Sequence, residues 1–267
     1  MSKVNSNLKK IAHVISLKGF TSRRKAEKLI NEGKVFVNDT KVESCAIRIS
    51  EDDSIKINGV HLEKAEFEFY ILYKPIMYIC SHNGQNKFKT IFDYVKRKNL
   101  PYLTFIGRLD YMSEGLIFLT NNSTLVDKFS KLYKRVYELR VNKVPQSFIE
   151  DIKNPIVDFM NLKPIKLLKN EIFMQKVGRV DKDINKNNTV NEHKSNNCFI
   201  RKENVITLEL SEGKNREIRK LCEKHGMTIF MLKRISYGPF SLADLGRNSI
   251  KKISKDSFLK KVPSCDI

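Results

Sequence analysis

No two cysteines in this chain form a CxxC pair, and the five present (Cys45, Cys80, Cys198, Cys222 and Cys265) have spacings that fit neither a zinc site nor a disulfide framework. They read as reduced, structural thiols. The histidines His13, His61, His82, His193 and His225 are equally scattered, with no HExxH or comparable ligand pair. No GxGxxG or GxxxxGK[ST] loop is present to cradle a nucleotide cofactor. No stretch approaches the roughly 18 apolar residues that span a bilayer, and the opening MSKVNSNLKK has no apolar run followed by a small-residue cleavage site. Neither a membrane location nor export is therefore expected. Any chemistry must run on ordinary side chains, without metal or cofactor.

What is abundant is positive charge. Fifty Lys and Arg stand against thirty Asp and Glu, a net charge of +20. Such a surplus favours a polyanion, because Coulomb attraction and counterion release both act at a phosphate backbone. The 41% hydrophobic and 30% charged composition is globular, and 267 residues suffice for one large domain or two modest ones. A cytoplasmic, nucleic-acid-associated protein is the starting expectation.

Residues 1–65 read as a separate α+β module. Leu8, Ile11, Ala12 and Ile15 recur at helical spacing up to Gly19. Thr21 and Ser22 are candidate N-caps for a second helix with Ala26, Leu29 and Ile30 on its apolar face. Strands at Val35–Val37 and Ile55–Ile57 lead to turns at Asn38-Asp39 and Asn58-Gly59. The second helix carries Arg23, Arg24, Lys25 and Lys28 away from its apolar face. A solvated face is the plain explanation of such a charge run, but a basic cluster at a helix start also suits phosphate. The segment FTSRRKAEKLINEGKVFVN (20–38) resembles the small RNA-binding domain named after ribosomal protein S-four. That resemblance implies binding to structured RNA, and the basic cluster at the helix start makes Arg23, Arg24 and Lys28 its expected contacts.

Beyond residue 66 longer strands are expected: an alternating one through Phe67, Phe69, Ile71 and Tyr73, then Leu103–Ile106, Leu116–Leu119, Val136–Val141, Val205–Leu210 and Ile229–Lys233. Helices are expected at about 123–131 and after Asn215, a candidate cap, with Ile218, Leu221 and Cys222 inward. The fold class this predicts is α+β: a small RNA-binding domain, then a mixed, largely antiparallel sheet with flanking helices over 66–262. Residues 181–197, DKDINKNNTVNEHKSNN, cannot offset their ordering entropy by burial and are expected to form a mobile insertion.

The most informative segment is GRLDYMSEGLIFLTNN (107–122), a polar loop between buried-strand patterns. It resembles the hallmark motif of the pseudouridine synthases, in the branch typified by RsuA and RluB. The resemblance implies that Asp110 is the catalytic carboxylate. RVYELRV (135–141) resembles the motif supplying an active-site tyrosine, here Tyr137, and EGKNREIRKLCEKHG (212–226) the motif whose basic residue pairs with the aspartate, here Arg219. Ile218 falls where the family sets an aliphatic side chain against the tyrosine, and LKRISYGPFSLADL (232–245) also fits the branch. Asn121-Asn122 replaces a more usual Asn-Asp turn, a change expected to preserve its geometry. The resemblance implies an isomerase that converts uridine to pseudouridine with no redox step or group donor. Arg108 would fill the gap left by a flipped base, and Arg216 would face RNA phosphate or solvent. The expected partner is ribosomal RNA or a pre-ribosomal particle. SEGLIFLTN (113–121) leans towards the large-subunit enzymes, and a monomer is expected. The rival reading is a non-catalytic ribosome-associated RNA-binding factor, which leaves Asp110, Tyr137 and Arg219 in motif order unexplained.

Overall fold

The computed structural model describes residues 8–82, 88–96, 102–177, 199–246 and 249–263; the Asn-rich stretch 181–197 lies outside them. The N-terminal module runs β1 (Lys9–Lys10), α1 (Ile11–Leu17), α2 (Arg23–Asn31), β2 (Val35–Val37), β3 (Thr40–Lys41), β4 (Arg48–Ile49), β5 (Ile55–Ile57) and β6 (Val60–His61). Ser22 caps α2, its side chain accepting from Lys25 N–H at 3.2 Å. The expected first helix begins at Ile11, with Leu8 outside it. Asn38, Asp39, Asn58 and Gly59 all have positive φ, as two-residue hairpin turns require, and they close the four-stranded sheet β3-β2-β5-β6. The module encloses its own apolar core, centred on Ile11, Val14, Ile15, Ala26, Ile30, Val35 and Ile55.

The chain continues through β7 (Phe69–Lys74), β8 (Tyr78–Ile79), β9 (Lys89–Thr90), α3 (Ile91–Lys96), β10 (Thr104–Ile106), β11 (Glu114–Thr120) and α4 (Ser123–Leu132). It then forms β12 (Arg135–Val141), α5 (Gln146–Asp151), β13 (Ile156–Val157), β14 (Met160–Asn161), β15 (Lys166–Val177), β16 (Phe199–Leu210), α6 (Glu217–Lys224) and β17 (Ile229–Tyr237). β18 (Phe240–Ser241), α7 (Leu242–Leu245), β19 (Ile250–Lys252) and α8 (Lys255–Lys261) complete it. The fold is α+β, with a mixed and mostly antiparallel sheet, as expected. Two compact units emerge: residues 1–135 with 234–267, and residues 136–233.

In the first unit β7 lies between β11 and β19, and β10 pairs with β11. The expected alternation along β7 is not what forms. Phe69, Tyr70, Ile71, Leu72 and Lys74 are all buried, the pattern of a strand covered on both faces. Phe69, Phe118, Phe129, Tyr237, Phe240 and Phe258 form an aromatic core. Phe258 belongs to α8, in a C-terminal stretch with no sequence signal, and its ring lies 4.6 Å from that of Phe69. Burying such a ring contributes about 1.5–3 kcal/mol, enough to dock one short helix. Asn121 and Asn122 divide the work of their turn. Asn121, buried, accepts from Glu68 N–H at 2.9 Å and donates to Glu66 O at 2.6 Å. Asn122 caps α4 by accepting from Thr124 N–H at 3.0 Å.

In the second unit the strand order is β15-β16-β12-β17. The strand expected at Val205–Leu210 extends back to Phe199, because β15 pairs with it along its length. Among the described residues no helix is long and apolar enough to cross a membrane.

Candidate active site

Asp110 sits in the loop joining β10 to β11, and its neighbours fix the backbone from several sides. Gly107 opens the loop at φ +71°, a value that suits glycine, and faces the ring of Tyr237. Leu109 is buried, its N–H donating to Cys80 Sγ at 3.5 Å while that thiol donates to Leu109 O at 3.4 Å. Burial pushes the Cys80 thiol above its ordinary pKa, so it keeps the proton this exchange needs. Tyr111 O accepts from Met77 N–H at 2.8 Å, and Ser113 N–H donates to Asp110 O at 3.0 Å. The buried Lys74 donates from Nζ to Ser113 O at 2.6 Å and Pro75 O at 3.0 Å, and Tyr73 hydrogen-bonds Glu114 through its hydroxyl. The Asp110 side chain is half-buried and that of Arg108 exposed. Ile76, Met77, Phe88 and Met112 are exposed apolar side chains near the loop, and the Phe88 ring meets Tyr111 edge-on at 5.0 Å.

Beneath the loop, Tyr237 is fully buried and stacks on Phe118 at 5.3 Å. The guanidinium of Arg135 lies 4.7 Å and that of Arg234 5.1 Å from its ring centroid. Arg135 also donates to the Tyr237 hydroxyl at 3.0 Å, and Arg234 Nε donates to Leu116 O at 2.7 Å. Sequence reasoning missed Lys74, Cys80, Arg135, Arg234 and Tyr237 as supports of this loop. Only the Lys74-Pro75 strand end and the family-like stretch around Tyr237 hinted at them.

In the second unit, β12 alternates buried and half-buried positions, with Tyr137 on the buried side. Ile218, Leu221 and Cys222 form the inward face of α6. Burial pushes the Cys222 thiol up to about 12, with Arg219 opposing the shift. Arg219 itself is half-buried. The helix does not start as expected: its cap is Arg216, exposed and left-handed at φ 54°, with no side-chain cap bond, and Asn215 lies one residue outside. Ion pairs strap α6 in place. Lys220 meets Asp158 at 2.5 Å, and Lys224 and His225 meet Asp151 at 2.7 and 2.8 Å. Asp110 and Arg108 thus share a loop of the first unit, and Tyr137, Arg216, Ile218 and Arg219 belong to the second. Arg23, Arg24 and Lys28 are exposed on α2 of the N-terminal module. Arg23 is held by His13 Nε2 at 2.7 Å; burial first and then this guanidinium keep His13 below its ordinary pKa. Among the described residues no group of three His, Cys, Asp or Glu could hold a metal ion.

Residues 68–224 match the model of the RNA pseudouridylate synthase family, and residues 11–55 match the S4 domain. An uncharacterized RNA pseudouridine synthase of Rickettsia felis is 34% identical over 92% of this chain and 97% of its own. The ribosomal large subunit pseudouridine synthase B of Bacillus subtilis is 28% identical, covering 92% of this chain and 93% of the relative. A crystal structure of a pseudouridylate synthase shares the fold, with a TM-score of 0.56 at 19% identity, across 96% of this chain and 100% of the other. A family match over more than half the chain, joined to a relative above 30% identity along nearly its whole length, establishes that this chain belongs to the RNA pseudouridylate synthases.

Proposed function

We propose that the protein converts a uridine of ribosomal RNA, in the large subunit, to pseudouridine, with Asp110 performing the sugar chemistry. Residues 1–65 serve as the RNA-binding module and 66–262 as the catalytic domain. The enzyme acts in the cytoplasm, as a monomer, without metal or cofactor. The observation that carries this reading is the backbone of the Gly107-Arg108-Leu109-Asp110 loop. It is held by Cys80 at Leu109, by Met77 at Tyr111 and by Lys74 at Ser113, and the Asp110 side chain on it is half-buried. Prepositioning of this kind is what a reacting carboxylate requires. The large-subunit assignment is supported by the Bacillus subtilis relative and by the SEGLIFLTN wording.

The reaction breaks the N1–C1′ bond and forms a C5–C1′ bond to the same base; a proton leaves C5 and N1 gains one. Atoms and charge balance without a donor or oxidant. The Asp110 carboxylate serves either as nucleophile at C1′ or as base at C2′. In this reading Arg219 orients that carboxylate through a planar, bidentate pair. Tyr137 stacks on the uracil beside Ile218 and assists proton movement. The target base must leave its stack, and the exposed Arg108 fills the gap. Arg216 and the α2 residues Arg23, Arg24 and Lys28 hold phosphates.

Asp110→Asn tests the assignment. It is nearly isosteric and removes only the charge and the nucleophilic oxygen, and Asn serves turns about as well as Asp. Tritium release from C5-labelled uridine should become undetectable, while filter binding and the melting temperature stay at wild-type values. Retained turnover would remove Asp110 from the chemistry. Wild-type protein that binds RNA yet never releases tritium would favour the non-catalytic binding factor.

A further inference from the structure

Two-residue hairpin turns with positive φ at both central positions are filled most often by Asn-Gly or Asp-Gly. The hairpin β13–β14 pairs Ile156 with Asn161 and Val157 with Met160, leaving Asp158 (φ 49°) and Phe159 (φ 61°) as its loop. Where glycine would be unstrained, this chain places phenylalanine. A bulky side chain in the left-handed region is an outlier, and strain of this kind clusters at functional positions. The ring is also 104% exposed, so no packing within the protein offsets either cost.

The tip is braced rather than loose. Lys220 pairs with Asp158 at 2.5 Å, Lys214 donates to Asn161 O at 2.6 Å, and Lys224 donates to Ile156 O at 3.2 Å. Lys220 and Lys224 belong to α6 and Lys214 to the loop just before it, so the hairpin is tied to α6 at two points and to its leading loop at a third. The hairpin that carries the ring is therefore fixed against the segment that the functional reading puts at the substrate, and each bracing lysine is matched by a carboxylate, Lys214 by Glu212, Lys220 by Asp158 and Lys224 by Asp151.

An exposed aromatic ring on a braced hairpin, in a chain of net charge +20, matches the chemistry of an unpaired nucleotide, whose base offers a π-face and whose backbone offers phosphates. We propose that Phe159 is a stacking platform for an unpaired base of the RNA substrate, with the three lysine contacts holding its hairpin in place. This rests on the reading of RNA as substrate. It adds a contact outside the chemical step, on a hairpin that the catalytic motifs do not include.

Three full-length proteins test it: wild type, Phe159→Gly and Phe159→Trp. The probe is the tightest-binding fragment from a tiled set of protein-free Bacillus subtilis 23S ribosomal RNA. Glycine suits φ 61°, so Phe159→Gly should melt at or above the wild-type temperature. Its RNA affinity should nevertheless fall about 5- to 150-fold, as for loss of a base-stacking aromatic. The slope of affinity against salt should not change, because no charge is lost. The chain has no tryptophan, so Phe159→Trp carries a single indole. It should bind like wild type, with its emission quenched as the RNA saturates. Wild-type affinity in Phe159→Gly, or unchanged indole emission at saturation, would overturn the proposal and leave the RNA reading standing. Failure of the wild-type protein to bind any fragment would overturn both.

Discussion

Gly115→Ala should destabilise this protein far more than its single added methyl suggests. Gly115 lies in β11, five residues after Asp110, with φ +108°. A Cβ there would stand 2.3 Å from Arg234 O, 2.7 Å from Arg234 N and 3.0 Å from Arg234 C. These are backbone atoms, so no rotamer change relieves the clash and the strands must part. Arg234 cannot yield easily, since its side chain is buried and bonded to Leu116 O at 2.7 Å. Overpacking of this sort costs about 1–3 kcal/mol, and a non-glycine residue at such a φ costs about 1–3 kcal/mol more. The sum, about 2–6 kcal/mol, is a large share of the roughly 5–15 kcal/mol that holds a domain together. Gly59→Ala is the control: Gly59 has φ +79° but nothing within 4 Å of its Cβ, so only the backbone cost applies. Urea unfolding followed by circular dichroism should show a midpoint for Gly115→Ala below that of Gly59→Ala by about 0.3–1 M, the steric share of about 1–3 kcal/mol divided by a slope of about 3 kcal/mol per M. Equal midpoints would refute the steric argument. Because β11 begins where the Asp110 loop ends, turnover should fall with stability, and a fully active Gly115→Ala enzyme would contradict the tight coupling described above.

Replacing Arg23, Arg24 and Lys28 together with Gln should weaken RNA binding and reduce the slope of log affinity against log salt by about 2–3; an unchanged slope would show that α2 is only a solvated face. Arg219→Ala should lower turnover about 10- to 150-fold, the equivalent of a lost charge-assisted hydrogen bond, and Arg219→Lys less; near-wild-type turnover in the Ala variant would move the role to Arg216 or Lys220. Burial alone would raise Asp151, but hydrogen bonds from Lys224 and His225 outweigh it and hold the carboxyl below its ordinary pKa; Asp244 is held down likewise by Lys261 and the Ser241 N–H. A carboxylate whose folded pKa is depressed stabilises above its unfolded value, about 3.9, and that contribution disappears as pH falls through the folded value. Melting temperatures should therefore drop below about pH 4, and Asp151→Asn should blunt that drop; an unaltered acid limb in this variant would count against the strap.

The roles proposed for Asp110 and Arg219 rest on neighbouring residues at fixed offsets that form family-like motifs. Ser22 could be read as a cap because a cap is a local hydrogen bond. The supports could not be read in this way. Lys74 serves the loop by reaching Ser113, thirty-nine residues on, and Cys80 by reaching Leu109, twenty-nine on. Nothing about a lysine before a proline, or an isolated cysteine, states that distance. The strand expected at β7 forms, but without the expected alternation, for a related reason: alternation reports a strand with one wet face, and this strand has none.

The start of α6 shows where local rules were overridden. Asn215 is the better cap by propensity, yet the helix begins one residue later, behind a left-handed Arg216 with no side-chain bond of its own. A weak cap costs about 1 kcal/mol. The face that follows buries Ile218, Leu221 and Cys222, and the ion pairs of Lys220 and Lys224 tie the helix to its neighbours. Burial of two or three such side chains, at about 1.5–3 kcal/mol each, outweighs the cap and sets the register. Moving the helix start back to Asn215 would require Arg216 to leave its left-handed conformation and the chain before it to take another path. The register that satisfies the core is also the one that leaves Arg216 exposed and Arg219 half-buried, so the same packing that sets the helix start sets the accessibility of both guanidinium groups.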